Sequence, residues 1–118
     1  MPYDEALASR VREILSLVRG FSDKKMFGGL CFLINGNMCC GVLNDELVLR
    51  LEPEHAEDLL SRPHTRPMDF TGRPMQGYVY VAPEGLETDA ALEGWVSRAI
   101  AYATQLPAKG PRRTPTRS

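Results

Sequence analysis

The chain has 118 residues, of which 43% are hydrophobic and 25% are charged, and its formal net charge is -1. This length and composition predict one soluble globular domain with one core, and a charge so close to zero excludes a strong overall attraction to nucleic acid or to an anionic membrane. No apolar run approaches the roughly 20 residues that span a bilayer, and the N-terminus lacks the apolar core of a signal peptide. We therefore expect a cytoplasmic protein with no membrane partner.

Residues 3–19 have the pattern of an amphipathic helix. Apolar side chains recur at helical spacing, at Leu7, Val11, Ile14, Leu15 and Val18. Asp4 can act as the N-cap and Gly20 can end the helix, so we expect this segment to pack its apolar stripe on the core.

Residues 24–51 contain three apolar runs separated by Asn35-Gly36-Asn37 and by Asn44-Asp45. Short interruptions of this kind supply the left-handed backbone that two-residue hairpin turns require. The stretch therefore predicts a three-stranded antiparallel meander, around which the rest of the domain is built.

The two turns also predict which residues share a face of the sheet. The first turn would place Leu33 opposite Met38, Phe32 opposite Cys39 and Cys31 opposite Cys40. The second turn would place Val42 opposite Leu47 and Cys40 opposite Leu49. Alternation then predicts an apolar core face formed by Cys31, Leu33, Met38, Cys40, Val42, Leu47, Leu49 and Leu51.

The opposite face of the predicted meander is less polar than a solvated face should be. It would carry Phe32, Ile34, Cys39, Gly41, Val48 and Arg50. We therefore predict an interaction surface at Phe32, Ile34, Val48 and Arg50, covered by a partner protein or by a second copy of the chain.

The three cysteines, Cys31, Cys39 and Cys40, leave one thiol unpaired in any disulfide scheme, which favours a reducing compartment. Two interpretations remain open. The cysteines can be small buried hydrophobic residues, or Cys31 and Cys40 can lie opposite each other and be joined by oxidation. No ligand spacing typical of zinc is present, and we expect neither a metal nor another cofactor.

The second half of the chain predicts two helices and further strands. Pro53 can begin a short helix that continues to Ser61, and residues 62–76 are expected to be extended or an ordered loop. Residues 77–82, GYVYVA, predict a strand, and Thr88 or Asp89 can cap a final helix that ends at Pro107. The predicted fold class is α+β, a two-layer sandwich with an antiparallel sheet of about five strands and the order α-β-β-β-β-α-β-β-α.

Few groups of residues in the sequence have the pattern of a catalytic site. Asp69 lies among polar neighbours. A structural role, in which its carboxylate hydrogen-bonds to the loop backbone or pairs with an arginine, accounts for this position without catalysis. An enzyme or small-ligand domain would need a pocket near Gly28-Gly29 and the loop from Arg66 to Arg73.

We expect a domain over residues 1–107 and a disordered basic tail over residues 108–118. The tail cations Lys109, Arg112, Arg113 and Arg117 could contact phosphate groups and give weak, salt-sensitive binding to nucleic acid.

An ordered series of motifs resembles the TfoX/Sxy N-terminal domain family. The motifs are residues 25–30 (KMFGGL), the Asn-Gly turn, residues 66–68 (RPM) with Phe70, residues 77–81 (GYVYV), and Trp95-Val96. The resemblance covers nearly all of residues 5–109 and implies an antiparallel sheet with helices packed on it.

The resemblance also implies a function. The founding members regulate natural competence and are thought to help a cyclic-AMP-responsive transcription activator. They also carry a second, helical domain, which we do not expect in this chain. The family offers no catalytic residues. The expected function is thus a non-enzymatic regulatory or protein-interaction domain whose partner is a transcription regulator or a second copy. The alternatives are nucleic-acid binding through the tail, and an enzyme or small-ligand domain.

Overall fold

The structure is a computed structural model that describes residues 3–26, 28–69 and 74–107. The elements in chain order are α1 (Glu5–Leu15), β1 (Phe21–Met26), β2 (Gly29–Ile34), β3 (Asn37–Leu43), β4 (Glu46–Arg50), α2 (Pro53–Leu59), β5 (Thr65–Asp69), β6 (Pro74–Val81) and α3 (Asp89–Gln105). A single 3₁₀ turn, Pro83–Gly85, precedes α3. The predicted element order and the α+β class are confirmed, although the sheet has six strands rather than about five.

The sheet is antiparallel throughout, with the strand order β1-β2-β3-β4-β6-β5. Strands β1 to β4 are joined by consecutive hairpins, so the predicted meander is present and is extended by β1. The chain then passes through α2 to the edge strand β5, and β6 returns to pair with β4. The apolar residues of α1, α2 and α3 join one core cluster with the inner residues of the sheet, so these three helices lie on one face.

The helix starts follow the predicted capping residues, but α1 ends at Leu15, with Ser16 as its C-cap, and not at Gly20 as predicted. The Asp4 carboxylate accepts hydrogen bonds from the amides of Ala6 and Leu7 at 2.9 and 3.1 Å and starts α1. The Thr88 hydroxyl accepts from the Ala91 amide at 3.1 Å and starts α3. Pro53 occupies the first position of α2, where its missing N–H is not needed.

A β-bulge changes the register of the first predicted hairpin. Leu33 lies opposite Met38 as predicted, but the pairing then shifts, so that Phe32 lies opposite Cys40. Cys39 is therefore the extra residue on β3. The predicted pairings of Phe32 with Cys39 and of Cys31 with Cys40 are wrong, because Cys31 lies opposite Gly41.

The bulge reverses the predicted faces of β2. Phe32 and Ile34 have no exposed surface and belong to the core beneath the helices. Cys39 also joins that core, next to Cys40, because both residues of a bulge can point to the same side. Alternation then places Cys31 and Leu33 on the other face.

The second hairpin has the predicted register. Val42 lies opposite Leu47 and Cys40 lies opposite Leu49. Accordingly, the predicted core positions from Cys40 onward are in the core, namely Cys40, Val42, Leu47, Leu49 and Leu51.

Candidate interaction surface

The sheet face opposite the three helices carries a second apolar cluster, and we call this face the open face. Val48 of β4 and Tyr80 of β6 form the centre of the cluster, and Met38, Leu43 and Tyr78 pack against them. Because α1, α2 and α3 bury their apolar side chains on the other side of the sheet, no helix in residues 3–26, 28–69 and 74–107 covers this cluster. The apolar cluster therefore spans three neighbouring strands of the open face, β3, β4 and β6.

The burial of this cluster is graded from its centre outward. Val48 and Tyr80 are only 3% and 6% exposed, whereas Met38, Leu43 and Tyr78 are half-buried. An antiparallel sheet that has one solvated face normally alternates apolar residues inward with polar residues outward. An apolar, tyrosine-containing outer face is instead typical of a surface that contacts another molecule.

A pair of opposite charges lies beside the cluster. Arg66 of β5 lies opposite Tyr80 in the sheet register, and its guanidinium carbon is 4.1 Å from the centre of the Tyr80 ring. The same guanidinium hydrogen-bonds to the carboxylate of Glu46 at the start of β4. The open face thus combines an apolar centre with a charged margin, which is the usual anatomy of a protein contact surface.

The structure separates the four residues of the predicted interaction surface. Phe32 and Ile34 are core residues, so placing them on the outer face of the meander was wrong. Val48 lies on the open face as predicted. Arg50 lies at the end of β4, where its guanidinium carbon is 5.8 Å from the ring centre of Tyr102 on α3.

Sequence reasoning missed the tyrosines of the open face. In residues 77–81 the tyrosines alternate with Val79 and Val81, which are fully buried in the core. That alternation could have indicated that Tyr78 and Tyr80 face away from the helices.

The predicted tail cations Lys109, Arg112, Arg113 and Arg117 lie outside the described residues.

The cysteines are free and buried within the sheet. Burial raises the pKa of the Cys31 thiol. A hydrogen bond with Cys39, followed by burial, raises the pKa of the Cys40 thiol well above its ordinary value. Reactive cysteines have the opposite character, a lowered pKa and solvent access, so the geometry favours a packing role for these thiols.

Gly28-Gly29, near which an enzyme or small-ligand domain would need a pocket, has a packing explanation in the structure. A Cβ atom on Gly29 would lie 2.5 Å from the carbonyl oxygen of Val42, so this glycine permits the close pairing of β2 and β3.

Within the described ranges, no group of three or more His, Cys, Asp or Glu side chains could hold a metal ion. No helix among the same residues has the length and apolar character needed to cross a membrane.

Comparison with known proteins identifies the family. The model of the TfoX N-terminal domain matches residues 13–103, which extend from the last turn of α1 almost to the end of α3. None of the curated proteins compared with the chain matches it at a significant level. The family match covers the whole sheet and most of the chain, so the chain belongs to the TfoX N-terminal domain family.

Proposed function

We propose that this chain is a non-enzymatic regulatory domain that works by binding protein through its open face, in a competence-type transcriptional process. Membership of the TfoX N-terminal domain family is compatible with a regulatory role. The observation that carries the proposal is the second apolar cluster, centred on Val48 and Tyr80, on the side of the sheet that the described helices leave uncovered.

A second copy of the chain is the occupant that best fits this face. The six strands lie about 4.8 Å apart and have five to eight residues each, at about 3.3 Å per residue. These dimensions give a flat face of roughly 500 Å², without the additional surface area of the protruding side chains. Two such faces in contact would bury at least about 1,000 Å², which is the lower bound for a specific interface.

The chemistry of the open face also suits contact with itself. A two-fold interface brings the same patch of both copies together, so apolar residues must meet apolar residues without a clash of like charges. The tyrosines provide broad apolar contact with a polar end. Arg66 and Glu46 carry opposite charges at the margin, so each copy presents both a cation and an anion to the other.

The oligomeric state tests this proposal, with Leu43→Glu as the variant. Leu43 is half-buried at the edge of the cluster, whereas Val48 is so deeply buried that a charge there would disturb the fold itself. Leu17→Glu is the matched control, because Leu17 is 90% exposed and lies after α1, on the helix side of the molecule. Light scattering after size exclusion should show a dimer for the native chain and for Leu17→Glu, and a monomer for Leu43→Glu.

Two outcomes would overturn the assignment. A native chain that stays monomeric up to high micromolar concentration would remove the second copy as the occupant. A dimer that survives Leu43→Glu, with unchanged circular dichroism, would place the contact elsewhere on the molecule.

A transcription regulator is the competing occupant of the same face. Affinity capture from native cells with the two variants distinguishes it from self-association. A transcription regulator retained by the native chain and Leu17→Glu, but lost with Leu43→Glu, would assign the open face to that partner.

A further inference from the structure

The half-buried arginines of the domain differ in whether they have a charged partner. Three arginines in the described ranges are half-buried, Arg10, Arg50 and Arg98. Arg10 pairs with Asp89 at 3.2 Å. Neither Arg50 nor Arg98 forms an ion pair with any described side chain, although removing a charge from water without a partner is unfavourable.

Arg98 lines a cleft between α2 and α3, and Arg50 contacts Tyr102, another residue of the cleft wall. The cleft has a volume of about 330 Å³, and Arg98 and Tyr102 of α3 are part of its wall. Arg50 adjoins it from the end of β4, with its guanidinium against the ring of Tyr102. Arg98 thus places one positive charge in the cleft wall, and Arg50 places a second against a residue of that wall, within a chain whose overall charge is slightly negative.

The other lining residues add hydrogen-bond donors. His55 of α2 lines the cleft together with Ser97 and Gln105 of α3. Imidazole, hydroxyl, carboxamide and phenol groups can all donate to an oxygen atom. None of these side chains, nor that of Arg98, makes a side-chain hydrogen bond to another residue of the described ranges, so their donors are available to a ligand. Glu52 is the one carboxylate among the lining residues, and it is exposed.

We propose that this cleft binds a small oxyanion, a phosphate or carboxylate group of a low-molecular-weight ligand, with Arg98 as its principal contact. A guanidinium presents two parallel N–H groups that match two oxygens of a phosphate or carboxylate. The Tyr102 ring supports the second guanidinium, that of Arg50, through a cation–π contact. The volume of the cleft is at the lower end of the range for small-molecule sites, which suits a ligand of a few heavy atoms around the charged group.

Titration of the intact chain with simple anions tests the site. The probes are inorganic phosphate, glycerol 3-phosphate and citrate, each at constant ionic strength set with sodium chloride, and the readout is the shift of backbone amide resonances. We expect saturable shifts confined to α2, α3 and the end of β4. Arg98→Gln should raise the dissociation constant at least about tenfold, because it removes the charged donor that hydrogen-bonds to the anion.

Arg62→Gln is the matched control. Arg62 is exposed just after α2 and has no ion pair with a described side chain, so its loss removes the same charge without touching the cleft. Binding of phosphate and glycerol 3-phosphate but not citrate would support the site and assign it to phosphoryl groups. Binding of citrate alone would support it and assign it to carboxylates. Absence of saturable shifts with all three probes, or equal weakening by Arg98→Gln and Arg62→Gln, would overturn the proposal.

Discussion

Truncation of Phe32 to alanine tests the bulged register that sets the two faces of the sheet. With the bulge at Cys39, Phe32 lies in the core and its neighbour Leu33 lies on the open face. Without the bulge, the two residues would exchange faces. Comparison of Phe32→Ala with Leu33→Ala therefore measures the register directly.

The structure predicts very different costs for the two truncations. Phe32 has no exposed surface, and its ring stacks on Phe21 with 6.0 Å between centroids and 26° between planes. Truncation of a buried phenylalanine to alanine costs about 3–5 kcal/mol, and the lost ring pair places the expected value near the upper half of that range. Leu33 is half-buried, so we expect about 1–2 kcal/mol for Leu33→Ala, roughly half of a full leucine truncation.

Urea unfolding followed by circular dichroism gives both free energies. Low protein concentration keeps association through the open face out of the comparison, and equal denaturant slopes show that both variants unfold in the same transition. Similar losses for the two variants, or a larger loss for Leu33→Ala, would refute the bulge and return Phe32 to the open face.

Three further predictions concern single residues. Asp4→Ala should lower the free energy of unfolding by about 1 kcal/mol, because α1 loses the carboxylate that caps its first amides, while Asp4→Asn should cost less. Gly77→Ala should destabilise the domain by more than about 1 kcal/mol, because Gly77 has φ of 86° and an added Cβ would lie 2.7 Å from the carbonyl oxygen of Leu51. Alkaline titration should show a loss of stability above pH 9.0, the ordinary pKa of a thiol, because buried Cys40 keeps its proton in the folded state after the unfolded chain has lost it.

The Gly77 and Cys40 predictions each have a control with a definite expected result. Gly94→Ala, in open space on α3, should stabilise the domain by about 0.5–1 kcal/mol, so a similar loss at both glycines would contradict the steric argument. Cys40→Ala should flatten the alkaline decline measured by denaturant unfolding at several pH values. An unchanged slope in that variant would assign the decline to other groups.

Local signals explain why so much of the fold could be predicted. Asp4, Pro53 and Thr88 mark helix starts through their own chemistry, without reference to distant residues. The hairpin turns are equally local, since Asn35 and Asn44 have φ of 53° and 54°, a conformation that asparagine tolerates better than most residues. Features of this kind can be read from a few neighbouring residues.

The bulge could not be predicted because its position is decided by packing. Residues 29–34 and 37–43 are apolar or small at almost every position, so alternation does not distinguish one face of β2 from the other. The choice depends on which residues fit beneath α1 and α3, as the complete burial of Phe32 illustrates. The insertion of β6 between β4 and β5 is likewise a long-range pairing with no local signal.

The candidate surfaces were predictable only in part for the same reason. Val48 was placed correctly because the second hairpin has no bulge. The cleft beside Arg98 brings together residues 52–55 and 97–105, which become neighbours only when α2 and α3 pack on the same side of the sheet. Residue pattern alone gives no indication of that proximity.

The attachment of the two ends of the domain to β3 has a consequence for how it can be joined to other proteins. The Asp4 amide donates to the Asn44 carbonyl at 2.6 Å, just beyond one end of β3, and the Asn37 side chain donates to the Pro107 carbonyl at 2.8 Å at the other end. A strand of seven residues separates these anchor points by roughly 23 Å. Fusion partners joined at Tyr3 and at Pro107 would leave from opposite ends of a stiff strand, so the domain would hold them apart as a spacer of defined length. A circular permutant, in contrast, would need a linker of at least about seven extended residues to close that gap.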